Sequence, residues 1–164
     1  MKKSYFLWIS ALLILVGGIS SCSNDDESET NLKEVVFENN PTTLTGIWHM
    51  VSASFGLGGT ESYQAGEITI TFDETDNTMK VENRKNIHFL KSGNYTFKTT
   101  IEKSRIYTYQ WVDVENQVIT IQYSVDTDDF REVKYTYGIQ DGILYFDGGI
   151  ASDGPGYYFK KQAN

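Results

Sequence analysis

The chain has 164 residues, 40% hydrophobic and 14% aromatic, with 14 basic residues against 22 acidic ones and a formal charge of -8. That is the profile of one globular domain with something attached to it. An acidic chain with no clustered basic stripe repels phosphates, which speaks against nucleic acid as a partner.

Lys2 and Lys3 form a short positive region, Tyr5 to Ile19 is a nearly unbroken apolar run, and Ser20 and Ser21 lead to Cys22, the single cysteine. This is the layout of a secretory signal over residues 1–21. The run is short for a membrane span, which takes about 20 apolar residues in a helix. Residues Ile19-Ser20-Ser21-Cys22 resemble the bacterial lipobox, where a signal peptidase cuts before a cysteine that then carries acyl chains. A lone thiol in an oxidising compartment is unusual without a role, so lipidation of Cys22 is expected; the alternative is an ordinary signal with an incidental cysteine. Two or more acyl chains, at about 0.8 kcal/mol per buried methylene, make a durable anchor. Cleavage there takes Lys2 and Lys3 and no acid, so 12 of the 14 basic residues remain against all 22 acidic ones, a charge of -10.

Residues 22–43 are rich in Ser, Asn, Asp, Glu and Thr and read as a flexible tether. The group Asp25-Asp26-Glu27 is similar to the signal that sends Bacteroidota lipoproteins to the cell surface, and reads equally as a solvated spacer. Within the tether, LKEVVF (32–37) suits a short helix or an edge strand.

From Leu44 onward the sequence predicts strand after strand: 46–54, 67–72, 79–84, 93–100, 105–112, 117–125, 131–139, 142–147 and 157–161. Each alternates apolar and polar residues or is enriched in β-branched and aromatic ones. The segments DETDN, LKSGN, DVENQ, DTDD and QDG between them carry turn chemistry. In EITITF (67–72), Ile68, Ile70 and Phe72 face one way and Glu67, Thr69 and Thr71 the other, which is the pattern of a sheet wet on one side. Sequential short strands with tight turns predict an all-β domain over 44–164: an up-and-down antiparallel β-barrel of eight to nine strands, closed so that no edge is left open.

At Gly46-Ile47-Trp48, on the first predicted strand, the chain resembles lipocalins and the small lipocalin-like lipoproteins of Bacteroidota. The hairpin GEITITFDETDNTMKV (66–81) and the closing stretch GILYFDGGIASDGPGYYFKK (142–161) are similar to that group as well, so the resemblance covers nearly the whole domain. His49 and Met50 follow the tryptophan, no Thr-Asp-Tyr stretch precedes the seventh strand, and no C-terminal helix follows the last one, so the shorter lipocalin-like version fits better. The resemblance implies a barrel plugged at one end by Trp48, either holding a small apolar ligand or filled by its own side chains. Fold alone does not choose between them.

The residues expected to line the interior are Trp48, Met50, Ile70, Phe72, Val81, Phe97, Tyr109, Ile121, Tyr135 and Phe146. On the 105–112 strand, Ile106 and Val112 compete with Tyr107, Tyr109 and Trp111 for the inward face. Aromatic residues with polar tips suit a ligand cavity, a carbohydrate-stacking surface or plain core packing. The loop 147–158, with Asp147, Asp153 and several glycines, reads as a structural turn or a binding rim and lacks the oxygen-ligand spacing of a calcium loop. Asp126, Asp128 and Asp129 decorate a hairpin turn. His49 is expected on the face opposite Trp48, exposed; it and His88 lie on different elements without the companions a metal or catalytic site requires. No catalytic set, metal site or cofactor is expected. The sequence therefore predicts an outer-membrane lipoprotein, on the cell surface or periplasmic face, that binds a small hydrophobic or amphipathic ligand without catalysis. The alternative is a filled barrel that docks a glycan, an envelope protein or a host protein through loops 147–158 and 55–66.

Overall fold

The computed structural model describes residues 35–107, 109–123, 132–149 and 153–164. The signal, Cys22, the acidic group of the tether, Asp126, Asp128, Asp129 and residues 150–152 lie outside the described residues. Nine strands follow in order: β1 (Gly46–Ser54), β2 (Thr60–Ser62), β3 (Ile68–Asp73), β4 (Thr78–Asn83), β5 (Gly93–Tyr107), β6 (Trp111–Tyr123), β7 (Glu132–Gln140), β8 (Ile143–Asp147) and β9 (Gly156–Lys161). From β3 to β9 each strand pairs antiparallel with the next, and β1 joins β3 on one side and β9 on the other. Eight strands thus close an antiparallel barrel, as predicted, and β2 is an addition.

β1 is able to serve three neighbours because β3 and β2 share one of its edges in succession. Gly46 to His49 pair with β3, and Ser52 to Ser54 pair with β2. On the other edge the register against β9 shifts between Met50 and Ser52. One extra residue in a strand reverses which parity faces inward. Trp48, Met50 and Ala53 are consequently all buried, although strict alternation would send Ala53 outside.

The buried set follows the predicted periodicity on the other strands except β6, where Val118 and Thr120 are buried beside Ile119 and Ile121. Ile68, Ile70 and Phe72 on β3, Met79 and Val81 on β4, Tyr95 and Phe97 on β5, Ile119 and Ile121 on β6, Leu144 and Phe146 on β8, and Tyr157 and Phe159 on β9 form one core. The β7–β8 hairpin turns on Asp141 and Gly142, with φ of 51° and 77°. Two left-handed residues in succession make the turn whose twist matches the strands, and Asp-Gly is the pair that tolerates it.

Three boundaries differ from expectation. The predicted strands 93–100 and 105–112 are not separate: β5 runs unbroken to Tyr107, and Trp111, which pairs with Tyr107, begins β6. The acidic stretch DVENQ, expected to be a turn, lies within β6. Its polar residues mark solvent exposure, because the two strands pair continuously from Tyr95↔Tyr123 to Tyr107↔Trp111 and the outer part of that ladder is open to water. Residues 36–43, placed with the tether, lie against the barrel instead. Phe37 bridges to Gln162, the Glu38 N–H donates to the Lys161 carbonyl at 2.8 Å, the Ala163 N–H donates to the Val36 carbonyl at 2.9 Å, and Pro41 is buried.

Candidate functional site

Both ends of the barrel and its interior bear on what it can hold. At the entry end, where residues 36–45 lead into β1, the Trp48 indole N–H donates to the Leu44 carbonyl at 2.6 Å. The Lys161 ammonium lies 5.8 Å from the centre of the Trp48 ring, 3.5 Å from Glu38 Oε2 and 3.4 Å from both oxygens of Thr43. A buried cation is tolerated only when paired and hydrogen-bonded, and here the aromatic face adds a third attraction. Gly46, at a φ of 124°, leaves room for that side chain: a Cβ there would sit 2.8 Å from Lys161 Cε.

His49 is a correction to its expected exposure. It does point away from Trp48, but the segment 36–38 covers it and it is buried. Its Nδ1 accepts from the Gly66 N–H at 2.9 Å, so Nε2 carries the proton and donates to Gln162 Oε1 at 3.0 Å, while Phe37 meets the ring edge-on at 5.9 Å. This histidine is a structural clasp among the entering chain, β1 and the C-terminal residues. His88 contributes its backbone, accepting from the Tyr157 hydroxyl at 2.5 Å.

The interior is filled by rings. Tyr135 stacks on Phe146 at 5.4 Å and 14°, Phe72 meets Phe97 edge-on at 5.2 Å, and Phe146 touches Phe159 at 5.4 Å. Burial leaves Tyr135 and Tyr95 hydroxyls above the usual tyrosine range, and pushes Tyr157 up to about 12. Each holds its proton because the phenolate would be poorly solvated there. Trp48, Met50, Ile70, Phe72, Val81, Phe97, Ile121, Tyr135 and Phe146 are all in this core. Tyr109 is the exception and is a second correction: it is 99% exposed, at a φ of 68°, in the turn between β5 and β6.

The distal end is shut by a loop whose LKSGN segment reads in the sequence only as a turn. Between β4 and β5, residues 84–92 fold inward, burying Leu90 and laying Phe89 on Tyr157 at 4.5 Å and on Phe159 at 5.8 Å. Asn83 holds the loop, its amide donating to the Ile87 and Leu90 carbonyls at 3.2 and 3.1 Å, and its Oδ1 has no hydrogen-bond partner. Ile87, Phe89 and Leu90 in a segment between strands were the available signal, since apolar residues in a loop need something to cover. Beside it, Phe55 meets Tyr157 edge-on at 6.5 Å, and Gly56 packs so closely on the Asp153 carbonyl that a Cβ would come within 2.6 Å of its oxygen. Gly56 therefore leans on Asp153, with Leu57 standing 94% exposed beside them.

Two open clefts of about 400 Å³ each flank the place where β5 and β6 leave the barrel wall. One is lined by Thr71, Asp73, Lys80, Asn94 and Thr96 with the flanks of Met79 and Tyr95; the other, mainly polar, by Glu115, Gln117, Thr136, Gln140 and Tyr145. Among the described residues no group of three or more His, Cys, Asp or Glu side chains is placed to hold a metal ion, and no helix is long and apolar enough to cross a membrane. Comparison of the chain with family models, curated proteins and solved structures finds no match.

Proposed function

We propose that the chain is a lipid-anchored envelope protein of the outer membrane whose barrel is a solid scaffold rather than a container, and that it works without catalysis by presenting its distal loops to a glycan or protein partner. The observation that carries this reading is the filling of the interior. Rings from five strands meet inside it, Trp48 and Lys161 cover one end, and the Phe89-Leu90 loop covers the other. The Leu57 side chain and the backbone around Gly56 and Asp153 give the distal end an exposed contact surface. The pattern of residues 1–22 supports the anchor, and the barrel order agrees with what the lipocalin-like resemblance implies about fold.

A second reading, in which the barrel takes up a small hydrophobic or amphipathic ligand, draws support from one feature. Asn83 leaves a buried oxygen without a partner at the base of the distal loop, so the loop is held by fewer hydrogen bonds than its polar groups can make. Displacing residues 84–92 would open the interior. Titration of the full chain with a fluorescent fatty acid separates the two: the scaffold reading expects no saturable binding, and saturable binding that expels Phe89 from its contact with Tyr157 would return the barrel to ligand carriage.

A further inference from the structure

β5 and β6 continue past the barrel as a two-stranded arm. β5 last pairs with β4 at Thr96↔Thr78, supported by the Phe97 N–H donating to the Asn77 carbonyl at 2.9 Å, and β6 first pairs with β7 at Val118↔Thr136. Among the described pairings, Ile101–Tyr107 and Trp111–Gln117 face only each other, while Lys98 to Thr100 still pair with the part of β6 that β7 holds in the wall. The seven residues Ile101–Tyr107 of β5, at about 3.3 Å per residue, carry the tip roughly 23 Å from the wall. Such an isolated hairpin buries little and is marginal by itself. Its side chains are arranged along its length by polarity. Lys103–Glu115 at 3.2 Å and Arg105–Asp113 at 3.0 Å pair across the ladder, and Glu102 at its root pairs with Lys134 of β7 at 3.3 Å, so each shaft charge has an opposite partner. Beyond Arg105 and Asp113 no charge follows: the tip is Ile-Tyr-Thr-Tyr-Gln-Trp-Val, with Tyr109 99% and Trp111 64% exposed.

The arm leaves from the entry end. β5 runs from Gly93, opposite Val81, toward Thr96, opposite the first residue of β4, and then onward. The turn joining β3 to β4 is the place where the entering chain is tied down, since both the Thr45 N–H and its hydroxyl donate to Glu74 Oε2 at 2.9 Å. The β7–β8 turn packs there too, Gly142 lying against the Asn39 carbonyl. Between Cys22 and Val35 lie 13 peptide steps, which span at most about 45 Å when extended. The chain thus enters the barrel at the end from which the arm leaves.

We infer that the tip of the β5–β6 arm, through Tyr109 and Trp111, seats in the headgroup region of the bilayer that holds the lipid anchor, so that the barrel stands on two membrane contacts. The choice of surface rests on the anchor reading given above. Tyrosine and tryptophan, apolar in body and polar at the tip, are the residues that favour the membrane–water interface. The charge pattern also selects it. In an acidic protein, the balanced shaft and uncharged tip form a region that anionic headgroups do not repel. A second copy is a poorer occupant for the β6 edge, since antiparallel pairing centred on Val114 sets Asp113 against Glu115 of the copy.

The full chain carrying Trp8→Phe, which leaves Trp48 and Trp111 as its tryptophans, is reconstituted with phosphatidylcholine vesicles brominated near the headgroup end of the acyl chains, and its emission is compared with that in plain vesicles. Trp48, sealed in the barrel, reports nothing. Quenching and a blue shift, both lost when Trp111→Phe is added, support the inference; Tyr109→Ser should weaken them. Equal emission in the two vesicles overturns it. So does a Trp111 signal that responds instead to a soluble polysaccharide or to protein concentration, which would assign the tip to a glycan or to a second copy. Intact mass tests acylation of Cys22 separately. Acylation without quenching removes the arm contact and leaves the anchor standing, whereas quenching without acylation keeps the tip as a membrane contact and removes the anchor.

Discussion

Within the barrel and beyond it, one face of the β5–β6 ladder meets two outcomes. Tyr95, Phe97, Ile119 and Ile121 are buried, while Ile101 and Trp111, on the continuation of the same face, are 69% and 64% exposed. The backbone ladder between the two strands is unbroken across the change. What differs is the opposite wall: β1, β3, β8 and β9 cover the first set, whereas the second lies where β5 and β6 pair only with each other. Apolar periodicity specifies a strand and a face, but a core exists only where another layer supplies the far side.

The two tryptophans sharpen that contrast most. Trp48→Ala should cost about 3–5 kcal/mol, as large-to-small changes in a closed core do. Trp111→Ala should fall within about 0.5 kcal/mol of the wild type, as exposed positions generally do. Urea unfolding of both variants measures the difference; comparable losses would mean that the arm is part of the cooperative core.

Most of the barrel was legible because each strand keeps its period. Nine of the ten residues expected inside are buried, from Trp48 to Phe146. Tyr109 was misread because Tyr107, Tyr109 and Trp111 alternate as strand residues do, and the sequence carries no sign that the chain reverses between Tyr107 and Trp111. Its left-handed backbone is uncommon for a tyrosine and carries no compositional mark. His49 was misread for a different reason. Its face was assigned correctly, but its cover comes from Phe37 and Gln162, remote in sequence and held there by pairing at the two ends of the domain. Lys161 closing over Trp48 was equally hidden, since a lysine in YYFKK gives no hint of burial.

Alkaline pH probes the barrel side of the comparison through its tyrosines. Tyr157 is raised from 10.0 to about 12, and Tyr135 and Tyr95 are raised further by burial. A raised value in the folded state means the fold favours the neutral phenol, so its contribution is complete below pH 10 and is lost as pH rises through 12. The melting temperature should hold up to pH 10 and fall steeply between 10 and 12. A flat profile across that window would place these hydroxyls in water.

A smaller effect is expected at the distal loop. Asn83→Ala removes both amide donations and leaves the Ile87 and Leu90 carbonyls without those donors. The expected loss is about 1–3 kcal/mol, the range for buried polar groups left unsatisfied. Fluorescent fatty-acid uptake should rise in the variant if the loop is the barrier to the interior, and stability loss without uptake would show that the rings alone keep the barrel shut.

The least effect belongs to the arm's ion pairs. Arg105 and Asp113 touch at 3.0 Å, but their side chains are 66% and 73% exposed. Water and salt screen such a pair, and fixing two side chains costs entropy, so a double-mutant cycle on Arg105→Ala and Asp113→Ala should give a coupling below about 1 kcal/mol that fades with added salt. A pair worth so little for folding still has a place in the design of the arm. It separates the uncharged tip from the barrel and puts opposite charges along both open edges, where a hairpin without charge would invite other strands to add on. Removing both charges should therefore leave the melting temperature nearly unchanged and raise self-association, measured by sedimentation; an unaltered monomer would show that the ladder's edges are protected by twist or by the clefts at its root instead.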